Sequence, residues 1–255
     1  MPRPSLQDVL NRMTPTERAE RAKAKIKQVV DRISGLLALA ESNALIVYSP
    51  LLASQIPAST AGHAFNVFQR AMHGFEIVQL CALWDKADPT LAHNSIPTVH
   101  ALIDHDDVVA QLVEDVRAFW PDRKSQGTDA DQELLAAYNI RTREEEARKA
   151  VHAFAELRIS VPLITRSPLL ASVRNMRDRD LAHALETTRA EEKAPVAPMR
   201  YGDEQELLTK TTAIMESMYQ WITGTNFDLE DNRQLQRKRA EALWRHCTFD
   251  IEPRT

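Results

Sequence analysis

The decapeptide RNMRDRDLAH, residues 174–183, sets Arg174, Arg177, Asp178, Arg179 and Asp180 just ahead of His183. A guanidinium grips a phosphate through a planar two-pronged fork that an ammonium does not reproduce, and an imidazole takes or gives a proton near neutral pH. Together they form a minimal kit for acid–base cleavage of a phosphodiester. The same residues also suit a plainer arrangement. Arg179 and Asp180 stand four and three residues before His183, the spacing of ordinary pairing along an exposed helix. His183 falls in the apolar string LAHAL, which predicts an imidazole partly buried or at an interface. Arg177 and His183 are six apart, about 120° in azimuth on an ideal helix. They converge on one phosphate only through long arginine reach, a second subunit or a local distortion.

The elements that must position these residues read as helices. With 6 Gly in 255 residues and Ala, Leu, Glu, Arg and Gln throughout, the composition suits helices and starves tight hairpin turns. An all-α fold is expected, a multi-helix bundle forming one domain over 1–255, with a core over about 60–224. Thr14-Pro15-Thr16-Glu17 is a capping box that opens a helix over about 15–44, with a solvated charged first half. Ser59 or Thr60 caps a central helix to about Trp84, whose stripe Phe65, Phe68, Met72, Phe75, Val78 and Ala82 should face the core. On its other side His63, Asn66, Arg70 and His73 form a polar line that either meets solvent or lines a cleft or subunit contact. Short helices follow near Pro97 and Asp106, and the linker-like WPDRKSQGTD leads to a helix over about 129–159. VPLITRSP interrupts, Ser167 caps, and the helix carrying the decapeptide runs to about Leu185. Asp203 caps a helix to about Ile222, and a last one spans about 229–247, the N- and C-terminal helices packing on the core.

Bulk composition removes several functions. A net charge of −4 argues against a general nucleic-acid coat while leaving room for a local basic patch. Two cysteines, Cys81 and Cys247, build no disulfide framework and have no zinc spacing, so a reducing, cytoplasmic setting is expected. No run is apolar enough for a membrane span or secretory leader. Neither a phosphate-binding glycine loop nor a glycine-flanked serine elbow occurs. His246 and Cys247 are adjacent, so on a helix they point about 100° apart and make no nucleophile–base pair. His73 with Glu76, and Asp180 with His183, each place two metal-type ligands one turn apart, but a ferritin-like centre wants more carboxylates. No metal site or cofactor is therefore expected.

The string Arg177-Asp178-Arg179-Asp180-Leu181-Ala182-His183 resembles the signature of the HEPN superfamily, in which an Arg and a polar residue precede a His on a bundle helix. RDRDLAH is similar to its abortive-infection AbiU-type branch. A second stretch, NVFQRAMHGFEIVQLCALWDKADPTLAHNSIPTVHALI, resembles the central helix of that branch. The two cover about residues 60–186.

The resemblance implies a homodimer in which motif helices of two subunits meet in a composite cleft. By position, Arg177 would bind and polarise the scissile phosphate of an RNA substrate. His183 would serve as general acid or base, giving a 2′,3′-cyclic phosphate without a metal. Asp178 would orient Arg177. Beside what the resemblance implies, Arg174 and Arg179 are read as auxiliary phosphate contacts or as members of intrahelical ion pairs, with Asp180 in support, and Arg70 and His73 as lining the same cleft. The implied setting is antiphage defence or a toxin–antitoxin pair, with a cognate antitoxin as a further partner. The competing reading is a non-catalytic HEPN-like module that binds RNA or protein.

Overall fold

The computed structural model describes residues 4–56, 58–119, 128–183 and 185–251. Among them there is no strand, and the fold is the expected all-α one. The linker-like stretch lies mostly outside the described residues, at 120–127, as does Ala184 of LAHAL. The elements are α1 (Leu6–Asn11), α2 (Pro15–Ile46), α3 (Pro50–Gln55), α4 (Thr60–Leu83), α5 (Ile96–Ile103), α6 (Asp106–Phe119), α7 (Asp129–Thr165), α8 (Pro168–Met176), a π-helical turn (Arg177–Ala182), α9 (Asp203–Thr223) and α10 (Leu229–Trp244). No described helix is long and apolar enough to cross a membrane.

The chain packs as two compact units. The first takes residues 1–29, 85–165 and 213–227: α1, the start of α2, α5 to α7 and the end of α9. Its core joins Ile26 and Val29 of α2, Val99 and Leu102 of α5, Leu112 of α6, and Phe154 and Leu157 of α7, all buried. The capping box forms as expected: Thr14 N–H donates to Glu17 at 2.7 Å and Glu17 N–H to Thr14 Oγ1 at 3.2 Å.

Two expectations fail in this unit for physical reasons. The first half of α2 is not simply a solvated charged face, because Arg18 and Lys25 are buried. Arg18 donates to the carbonyls of Leu102 (2.9 Å) and Ala101 (3.0 Å), groups that the last turn of α5 leaves without helical partners. Lys25 reaches the His93 carbonyl and Asn94 Oδ1 at 3.1 and 3.0 Å. Nor does VPLITRSP stop α7, which runs through Pro162 to Thr165. Proline forfeits one backbone hydrogen bond, yet Phe154, Leu157, Val161 and Ile164 stay buried at helical spacing across it. Packing of that stripe outweighs the lost bond.

The second unit takes residues 30–84, 166–212 and 228–255: the rest of α2, α3, α4, α8, the π-turn, the start of α9, and α10. Between α2 and α4 the chain forms α3, a short helix additional to those expected from the sequence. Ser59 and Ser167 cap α4 and α8 as expected, accepting from the N–H groups of Gly62 and Leu170. The phase of α4 differs from the sequence reading. Gly74, Ile77, Leu80 and Cys81 face the core, while Phe68 and Phe75 are exposed. An aromatic count favoured the wrong face, because glycine and Glu76 occupy buried positions on the right one.

Substituting Arg18 by Met strands the buried Leu102 carbonyl and the part-buried Ala101 carbonyl while keeping most of the apolar stem. The expected loss is about 1.5–3 kcal/mol of unfolding free energy, read from urea denaturation. An unchanged midpoint would mean the α5 carbonyls find another donor.

Candidate functional site

The decapeptide straddles a change of helix type. α8 keeps α-helical geometry to Met176, and Arg177–Ala182 then winds as a π-helix, a distortion that recurs at functional sites. The expected helix to Leu185 is thus cut short. His183 ends the turn with φ −135° and ψ −9°, and Leu185 N–H closes back on the Arg179 carbonyl at 2.8 Å. Side chains anchor the turn from below. Asn175, buried on α8, donates to Glu191 Oε1 at 2.9 Å and accepts from the Thr188 hydroxyl, tying the following loop to the last α-helical residues. Arg174 donates to the Trp84 carbonyl at the end of α4.

The π-turn lies against α4 at Gly74. A Cβ there would stand 3.0 Å from Leu181 Cδ2, so the missing side chain is what lets the turn approach. Arg177 Nε donates to Asp178 Oδ1 at 2.7 Å. Arg179 contacts Asp180 at 3.4 Å and Glu191 at 3.6 Å, rather than His183. His183 is exposed, not buried, and among the described residues no hydrogen bond or ion pair is assigned to it. The structure therefore brings Arg177, Asp178, Arg179, Asp180 and His183 to one surface turn, with Arg174 turned to the backbone of α4.

Next to this turn on α4, Arg70 and His73 line a cavity of about 420 Å³ with Tyr48, Asn66, Gln69 and Tyr201. A smaller cavity of about 180 Å³ shares His73 and Tyr201 and is bordered by Met176 and Arg200. Behind them lies a polar cluster. Glu204, in the first turn of α9 and 1% exposed, accepts from the Tyr48 hydroxyl, stands 3.3 Å from His73 Nε2, and takes the Gly202 N–H at 3.2 Å. Gly202 adopts φ +96°, a left-handed conformation that glycine tolerates and that turns the chain from Tyr201 into α9. Asn43 donates to buried Glu76 Oε2 at 2.6 Å.

Electrostatics follow from this packing. The Glu204 contact raises the His73 imidazole above its ordinary 6.5, against the opposing effect of burial. Burial works against the Glu204 charge, but His73 and Tyr48 outweigh it and hold the carboxyl below 4.5. Burial pushes Glu76 up, with Asn43 opposing. Burial and the Glu204 carboxylate push the Tyr48 phenol upward. Sequence reasoning missed Tyr48, Tyr201 and Glu204, since no local spacing links them to α4. The polar line on α4 was the one available signal.

Residues 20–243 match the HEPN family of AbiU2, most of the 255-residue chain. The chain belongs to this AbiU2 family. It is a HEPN domain of the type associated with abortive infection. No curated protein and no solved structure matches the AbiU2 chain. Among its described residues no group of three His, Cys, Asp or Glu side chains is arranged to hold a metal ion. The pair His73 and Glu76 is divided between separate partners, His73 facing Glu204 and Glu76 bonded to Asn43.

Two expectations follow for the AbiU2 chain. In Gly74→Ala the far end of Leu181 gives way and the helix gains propensity, so stability stays within about 1 kcal/mol. Gly74→Val overpacks the contact and costs about 1–3 kcal/mol. Denaturation reads both; equal effects would mean the π-turn does not rest on Gly74.

The second concerns pH. A raised His73 favours the folded state below the unfolded value and loses that contribution as pH climbs through the folded value. Glu204, held low, loses its share only as pH falls below about 4.5. Wild type should therefore lose more stability between pH 6 and 8 than His73→Gln. Parallel pH curves would remove the ion pair from the account.

Proposed function

We propose that the chain is a metal-independent endoribonuclease of HEPN type acting in antiphage defence or a toxin–antitoxin pair, with a composite Arg/His site formed by a homodimer. One observation carries this reading: Arg177 opens and His183 closes a single π-helical turn, Arg177 half-buried with its Nε on Asp178 and His183 exposed with no hydrogen bond or ion pair among the described residues. Half a composite site is exposed until its second half arrives.

An apolar face beside the turn supports the dimer. Val67, Ala71 and Phe75 recur every four residues along α4, with Val67 56% and Phe75 54% exposed, and Leu181 and Leu185 are exposed in and just beyond the turn. Such a surface favours burial against a second copy.

In the proposed reaction the ribose 2′-oxygen attacks phosphorus and the bond to the 5′-oxygen breaks. The products are a 2′,3′-cyclic phosphate and a 5′-hydroxyl. The His183 imidazoles of the two subunits take the 2′ proton and supply one to the leaving oxygen, and Arg177 neutralises charge growing on the phosphoryl oxygens. Asp178 holds the Arg177 Nε. RNA is then the substrate, and a cognate antitoxin is the partner that would restrain it.

The test is digestion of cellular RNA in EDTA by wild type, Arg177→Ala and His183→Ala, with light scattering on each. Expected are cyclic-phosphate ends from a wild-type dimer and a loss of at least about a hundredfold in each variant. A folded wild type that leaves RNA intact, or cuts as a monomer, would shift the reading to a binding module.

A further inference from the structure

Tyr201 is 80% exposed, yet its ring is fixed in place. One face lies on the His73 imidazole, ring centres 5.9 Å apart and planes inclined by 16°, and Tyr48 meets it edge-on at 6.1 Å. His73 and Tyr48 are both held by buried Glu204, and Gly202 sets the approach of the backbone. A tyrosine that serves only to cover a core would not leave most of its surface in water. This ring is a braced platform presenting one open aromatic face.

The groups around the platform suit a nucleotide. Arg70, exposed and without an ion-pair partner among the described residues, lies one turn before His73, and Arg200 precedes Tyr201 in the chain. These are two cations for phosphate oxygens. Asn66 and Gln69 both line the cavity, but the Gln69 amide already donates to the Ile46 carbonyl at 2.6 Å, so the exposed Asn66 amide is the group that donates and accepts toward a base edge. At about 420 Å³ the cavity falls in the range of small-ligand sites. The smaller neighbouring cavity runs from Tyr201 and His73 to Met176, the residue before Arg177.

We propose that this cavity and its smaller neighbour together form a nucleotide subsite for single-stranded RNA: Tyr201 stacks one base, Asn66 faces its edge, and Arg70 and Arg200 hold its phosphates. The inference deepens the ribonuclease reading and rests on it for the identity of the ligand. The stacked nucleotide flanks the scissile phosphate, so this cavity sets which base is preferred beside the cut. Stacking alone tolerates every base, and the Asn66 amide supplies the preference.

The full-length chain is titrated with short, fluorescein-labelled 2′-O-methyl oligoadenylate, oligocytidylate and oligouridylate. These probes lack the attacking 2′-hydroxyl and cannot be cleaved. Tyr201→Ala should weaken every probe about tenfold while Tyr201→Phe stays near wild type. Arg70→Ala should weaken all probes and flatten the salt dependence. Asn66→Ala should level the differences between bases. Tyr201 is exposed enough that its replacement leaves the fold intact, which circular dichroism checks.

Wild-type affinity in Tyr201→Ala and Arg70→Ala overturns the subsite. So does a wild type that binds no probe, or one whose Tyr201 is needed only for a protein partner. Cleavage of unmodified RNA in EDTA is scored separately. Cutting that ignores Tyr201 leaves the nuclease and removes the subsite, whereas Tyr201-dependent binding without cutting keeps the subsite and removes the nuclease.

Discussion

A carboxylate that is 1% exposed keeps its charge only if the protein replaces the water it has lost, and Glu204 is such a group. Its oxygens accept from the Tyr48 hydroxyl and the Gly202 N–H, and the His73 imidazole faces them at 3.3 Å as an ion-pair partner. These groups come from α4, from the residues after α2 and from the turn leading into α9. One buried charge thereby ties three separate segments of the second unit. Losing any one donor would leave the charge short of a partner, a heavier penalty than the loss of a surface contact. The Tyr201 platform follows from the same tie, since both rings that brace it are themselves fixed on Glu204.

The π-turn needs a different kind of support. A π-helix is rare and persists where its surroundings over-determine it. Here Asn175 with Thr188 and Glu191 pins the residues on either side, and Gly74 provides the seat for Leu181. The buried amide and the glycine fix the backbone, which leaves the side chains of the turn on the surface.

This division explains what the sequence made legible. Helix starts were readable because capping is local: Thr14 with Glu17, Ser59 and Ser167 all act within four residues of themselves. The Arg/His string and the polar line on α4 were also visible, for each lies within one helix. The phase of α4 was misread because its buried face carries Gly74 and Glu76, whose places are decided by Leu181 and Asn43 on other segments. Glu204 lies 156 residues from Tyr48, beyond any periodicity argument. The π-turn had no signal of its own, since the contacts that hold the residues around it come from Thr188 and Glu191, 13 and 16 residues beyond Asn175.

The two polar clusters then differ in what they can do. Ion pairs of the motif are partly exposed, Asp178 and Asp180 standing in water while they meet Arg177 and Arg179. Such pairs are worth at most about 1 kcal/mol, so an arriving phosphate can compete with them. Glu204, at the centre of the other cluster, is desolvated, and removing its partners would leave a buried charge uncompensated. One part of the surface is therefore electrostatically soft and the other rigid. The soft turn and the rigid wall meet along α4, where Gly74 seats Leu181 of the turn and His73 faces Glu204, so charges that can re-pair stand beside a wall that keeps its shape.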